Sequence, residues 1–317
     1  IASLRRLPLP PAAFWVFLAA FALTPTNIEV FGTLTNTQWL LQFYLLLPMA
    51  RFVSGEPPAR PVVACLAAAL VGLSGPFSVF AIAGAIVGLT CRSLETRTLP
   101  SLRALLFAHP DMAVLLVCAI VQTTLVLVLP DTQNLRASAT PGWLAAREVM
   151  AGLQTHTLGY AWFPHAVFCG LSILAVIGCI AGAASVPARA LIVTVACFVA
   201  AQLWTVASKH AAVATPIPDL ILDLGYADRY FLLFKVLFWV SLLLALRGIL
   251  GRLRTIALPV TLVAIGIVAV QNNDHLRRPP LPDLKWREHA TRMDRGEAVA
   301  APINPAPWTV NVPANTP

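Results

Sequence analysis

Residues 223–235 hold the densest set of groups able to do chemistry in an otherwise apolar chain: Asp223, Tyr226, Asp228, Arg229, Tyr230 and, a few residues on, Lys235. A guanidinium can grip a phosphate through two parallel N–H donors, and a carboxylate beside it can hold it while the site is empty. Asp228 and Arg229 supply those two types side by side, with Asp219 and Asp223 before them and Tyr226, Tyr230 and Trp204 as nearby aromatics. The bland reading is a solvated loop with local ion pairs. Lys235 is the one charge inside an unambiguous apolar run. Charged groups at membrane depth mark functional sites by default. Two readings of it stay open: an anchor whose amine snorkels to the headgroups, or a phosphate contact.

Elsewhere the chemistry is thinner. Glu29 is the lone charge of its segment, a candidate general base or simply a solvated loop acid. His156, His165 and His210 show neither HxxxH nor HxH spacing, so no metal ligands are assigned, and a divalent cation stays open as a cofactor. The six cysteines show no CxxC and lie in or beside apolar runs, where they read as small packing residues. There is no phosphate-binding glycine loop, no GxSxG and no HExxH.

These groups must be positioned by membrane helices. The 317 residues are 58% hydrophobic and 11% charged, with mean hydropathy +0.77. A soluble domain carries about 25% charged residues, so this chain cannot hide its apolar surface in one aqueous globule. A net charge of +8 could suggest nucleic acid, but the arginines fall in short loops between apolar runs, as membrane topology requires. Nucleic acid is therefore not an expected partner.

The expected fold is an all-α polytopic membrane protein with about nine crossings. Apolar runs lie at 11–23, 39–49, 61–90, 111–129, 166–186, 190–207, 231–246 and 256–270. Ser74-Gly75-Pro76 breaks the third into two helices joined by a tight turn. Pro187-Ala188-Arg189 reads as a short turn between crossings. Eleven basic residues (Arg5, Arg6, Arg51, Arg60, Arg92, Arg97, Arg103, Arg189, Arg247, Arg252, Arg254) fall on one side, against four (Arg136, Arg147, Lys209, Arg229) on the other. The positive-inside rule then puts the N-terminus in the cytoplasm and the outer loops at about 25–36, 130–165 and 208–229. The bundle spans 1–270, and a polar, proline-rich tail, 271–317, lies outside. Asp228 and Arg229 come to the outer membrane surface.

Four stretches, Leu34–Trp39 (LTNTQW), Gly72–Phe77 (GLSGPF), Asp228–Phe231 (DRYF) and Pro302–Trp308 (PINPAPW), together resemble bacterial polytopic membrane glycosyltransferases of the GT-C type, akin to mannosyl- and arabinosyltransferases that use polyprenyl-phosphate sugars. The resemblance implies sugar transfer from a polyprenyl-phosphate donor to a glycan or lipid acceptor at the outer face of the bacterial inner membrane. In such enzymes a carboxylate of the first outer loop acts as base, and arginines at outer helix ends hold the donor phosphate. Arg229 and Lys235 match the phosphate role, supported by Asp228, Tyr230, Asp223 and His165. Glu29 is the acid available for the first role, unless the chain, which starts at Ile1, is the later portion of a longer protein with that acid upstream. Asn304, with Pro305 and Trp308, would cover the outer mouth. From another class, a transporter or flippase for a lipid-linked or anionic solute also fits broken helices and an interior lysine. A non-catalytic assembly protein is the third reading.

Overall fold

The computed structural model describes residues 10–24, 37–98, 101–128, 142–159, 164–183, 185–211, 228–272, 284–302 and 309–314. The chain divides into two units, Ile1–Leu276 and Arg277–Pro317. In the first, the described helices are α1 (Pro11–Leu23), α2 (Thr37–Ser54), α3 (Pro61–Ser74), α4 (Phe77–Thr96), α5 (Leu102–Ala108), α6 (Pro110–Val128), α7 (Gly142–Leu158), α8 (His165–Gly182), α9 (Val186–Ala211), α10 (Asp228–Ile249) and α11 (Ala257–Gln271). The second unit has one short helix, α12 (Trp286–Asp294), and a hairpin in which β1 (Val299–Pro302) pairs antiparallel with β2 (Thr309–Val312). The described residues are thus mostly helical, with one two-stranded exception among them.

Each apolar run of the sequence folds as helix. Among the described residues, four helices are long and apolar enough to cross a membrane: Phe77–Thr96, His165–Gly182, Val186–Ala207 and Phe231–Ile249. Four shorter apolar helices, Pro11–Leu23, Pro61–Ser74, Pro110–Leu125 and Ala257–Gln271, stand beside them. Their outward faces carry large apolar side chains: Leu66 on α3 is 68% exposed, Leu174 on α8 63% and Val263 on α11 61%. A water-soluble fold would cover such faces; a lipid environment needs no cover.

The local chemistry explains the breaks. At Gly75-Pro76 the chain leaves α3 in extended conformation, and Pro76 caps α4, where its missing N–H costs nothing. Pro187 does the same within the first turn of α9. The expected turn at Pro187-Ala188-Arg189 is therefore helix, and the break precedes it. The segment 130–165 holds more order than a loop, since Gly142–Leu158 is helical; its apolar positions Val149 and Leu153 repeat at helical spacing and are buried.

Packing is closest between α4 and α9. A Cβ on Gly84 would lie 2.6 Å from the Thr194 carbonyl oxygen, and one on Gly88 would lie 2.8 Å from that of Ala190. Glycines four apart let two backbones approach in this way, as small residues do at membrane helix interfaces.

Polar contacts sort the helix ends into two sets. Arg51 at the end of α2 pairs with Asp111 at the start of α6 (Nη2–Oδ2 2.5 Å), and Arg189 in the first turn of α9 with Glu95 at the end of α4 (2.7 Å). Arg92 of α4 donates to the Val53 carbonyl of α2 (2.6 Å), and Arg189 to that of Ala183, just past α8 (3.0 Å). These form the arginine end. The start of α2, the ends of α7, α9 and α11, and the starts of α8 and α10 form the opposite, lysine end.

Candidate binding site at the lysine end

Lys235 is fully buried in the second turn of α10. That excludes the snorkelling anchor, because an amine reaching the headgroups would be accessible. An isolated ammonium ion in an apolar interior costs far more than a helix contact returns, so the site around it must be polar.

The neighbouring helices supply polar groups. Phe231, one turn before Lys235, stacks on the imidazole of His156 with ring centroids 4.5 Å apart and planes 22° apart. His156, Gln154 and Thr157 on the last turn of α7 are all buried. Gln154 Oε1 lies 2.7 Å from His165 Nδ1 at the start of α8. Gln202 of α9 donates to Gln42 Oε1 of α2 at 2.8 Å, both side chains buried, and Gln42 donates on to the Trp39 carbonyl. Asn272 closes α11 against α7: its Nδ2 donates to the carbonyls of Leu158 (3.2 Å) and Val268 (2.8 Å). Gly159 makes that contact possible. It sits at φ +78°, and a side chain there would overlap the Asn272 amide.

Several polar atoms here have no partner among the described residues: Gln154 Nε2, Thr157 Oγ1, Asn272 Oδ1 and Trp239 Nε1. Each buried unsatisfied group costs about 1–3 kcal/mol, and such groups are what a polar ligand or bound water satisfies.

An apolar crevice of about 740 Å³ runs between α1, α8, α9 and α10, with none of these polar residues in its walls. Its walls include Phe14, Trp15, Ile173, Val176, Leu203 and Phe234. Phe234 and Phe238 on α10 face it, and Lys235 follows next in the chain. An apolar slot and a buried cation thus share one helix.

Of the residues singled out in the sequence, Lys235, His156 and His165 stand at this end. Asp228, Arg229 and Tyr230 form the first turn of α10, with side chains outside the described set. Glu29, Asp223 and Asn304 lie outside the described residues. Trp204 is 75% exposed, and its expected neighbours Tyr226 and the Tyr230 side chain lie outside the described set. Sequence reasoning passed over Gln42, Gln154, Gln202 and Asn272. The signal was there, since Gln42 and Gln202 each interrupt an apolar run, as polar residues at membrane depth seldom do without purpose. It also passed over the Arg51–Asp111 pair, in which Asp111 is fully buried. Among the described residues, no group of three or more His, Cys, Asp or Glu side chains converges on one point.

Fold and site define a class: a helical protein with apolar, membrane-length helices and a polar interior at one end of its bundle. Compared with known protein families, curated sequences and solved structures, the chain matches none of them.

Proposed function

We propose that the chain is a membrane glycosyltransferase of the GT-C type, or the later portion of one, using a polyprenyl-phosphate sugar in the bacterial inner membrane. The lysine end would face outward, as the arginine bias of the sequence implies. One observation carries the reading: the helix that carries the buried Lys235 also walls a 740 Å³ apolar crevice, through Phe234 and Phe238. A lipid-linked sugar phosphate has the same two parts in the same order, a long apolar chain and an anionic head.

In this reading the prenyl chain occupies the crevice and the phosphate meets Lys235, with Arg229 in the first turn of the same helix as second cation. The acceptor hydroxyl attacks the anomeric carbon, the sugar–phosphate bond breaks, and the phosphate keeps the bonding electron pair. Cations at that oxygen stabilise the charge as it develops. A carboxylate takes the hydroxyl proton; Glu29 is assigned that part. Gln42, Gln154 and Gln202 offer amide donors and acceptors for sugar hydroxyls. The test is sugar transfer from a radiolabelled polyprenyl-phosphate donor by membranes carrying the protein. Transfer that is unchanged in both Lys235→Met and Arg229→Ala overturns the assigned roles.

A transporter or flippase for a lipid-linked or anionic solute is the second reading, favoured by the buried Arg51–Asp111 pair at the opposite end, which could act as a gate. Donor-lipid movement across vesicles without sugar transfer would decide for it.

A further inference from the structure

We propose that the cavity at the arginine end, walled by α4, α5 and the His109 junction before α6, is a binding site for a phosphate group held by Arg92 and His109. The cavity is about 330 Å³ and is lined by Arg92, Ser93, Thr96, Thr98, Ala104 and His109, among others. Water takes about 30 Å³ per molecule, so a phosphate fits with part of its hydration shell.

Three arginines at this end make the contacts between helices described above, and two of them are neutralised. Arg51 holds Asp111, and Arg189 holds Glu95. Arg92 donates one N–H to the Val53 carbonyl and, among the described residues, has no carboxylate partner. The rest of its planar fork suits an anionic oxygen pair. His109 is 1% exposed, and its Nδ1 has no partner among the described residues. His109 also lines the cavity, and a buried ring nitrogen without a hydrogen bond favours a partner that a small turn of the ring would reach. The Thr96 hydroxyl donates to the Arg92 carbonyl (2.9 Å) and lies 2.7 Å from that of Thr98, whose proton can turn toward an anion. An arginine with no carboxylate partner among the described residues, a buried imidazole and a threonine hydroxyl define a site for a phosphate mono- or diester. The lysine-end reading is not needed for it.

Two sources present that chemistry at a membrane surface: the headgroup of an anionic phospholipid and a free phosphate compound. The full chain in phosphatidylcholine nanodiscs is titrated with radiolabelled inorganic phosphate, then with phosphatidic acid added to the disc. Saturable uptake of one phosphate per chain is expected. Displacement by phosphatidic acid assigns the site to the lipid headgroup, and undisturbed phosphate assigns it to a free compound. Arg92→Gln should weaken binding at least about tenfold. Because Arg92 also ties α4 to α2, Ala104→Glu serves as the second variant; the position is exposed, and the new carboxylate would repel the anion. The proposal is overturned if the wild-type chain takes up neither probe, or if folded Ala104→Glu binds as tightly as wild type.

Discussion

The two ends of the bundle are built from different polar chemistry. The arginine end neutralises charge with charge: Arg51 with Asp111, Arg189 with Glu95. The lysine end holds a buried lysine and a set of buried amides, hydroxyls and an imidazole, several of whose atoms have no partner among the described residues. Open atoms occur at the arginine end as well, at Arg51 Nε, His109 Nδ1 and Asp111 Oδ1. Matched pairs fasten helices, while open donors and acceptors are costly for stability and useful for binding. The difference lies in the fasteners: charge pairs between helices at the arginine end, amide hydrogen bonds at the lysine end.

Breaking the buried pair is the hardest test of that division. Asp111→Ala leaves Arg51 facing a low-dielectric interior and is expected to cost about 3–5 kcal/mol, whereas the double change Arg51→Met with Asp111→Leu should return most of it. Denaturant titration of the purified protein in detergent reads both; equal losses in the two variants would remove the clamp from the account. At the other end the sign reverses. Lys235→Met fills the same volume without charge and should leave stability near wild type, while lowering sugar transfer by about 10²-fold or more, the scale of one lost charge-stabilising contact. A melting point that collapses with activity would make Lys235 structural instead.

Gly159→Ala probes the frame of the lysine end alone. A side chain at φ +78° is strained, and here it also meets the Asn272 amide, so a loss of about 1–3 kcal/mol is expected. Asn272→Ala should relieve the added Gly159→Ala cost in part, as a double-mutant cycle would show. Smaller still is the pH response of the arginine end. Burial is the main cause holding the His109 pKa below its ordinary value, with Arg51 and Arg92 acting the same way and Asp111 opposing them. The unfolded chain then binds more protons, so stability falls as pH drops below about 6.5 and is flat above it. Melting curves across pH 5–8 should show that slope in wild type and lose it in His109→Gln. Least affected is Glu95→Gln, since its pair with Arg189 is one-third exposed and solvent screens it; its melting point should barely move.

How far the sequence reached depends on the kind of feature. The split at Ser74-Gly75-Pro76 was legible because glycine and proline act locally on the chain. The helix Gly142–Leu158 was not, because its 17 residues mix apolar and polar types and carry no membrane-length run. Burial of Lys235 could not be told from snorkelling, since a long flexible stem permits either outcome until neighbouring helices fill the space around it.

Sequence alone determined where the apolar helices lie and that they seek an apolar surrounding, because both follow from composition read over a window of one helix. It also separated the arginine-rich helix ends from the rest. Tertiary structure decided which polar groups meet. Gln42 and Gln202 are 160 residues apart and share a hydrogen bond; Arg51 and Asp111 are 60 apart and share an ion pair. Such contacts depend on how each helix is rotated and how deep it sits against its neighbours. That is set by packing of many side chains at once, Gly84 and Gly88 against α9 among them, and no local window contains it.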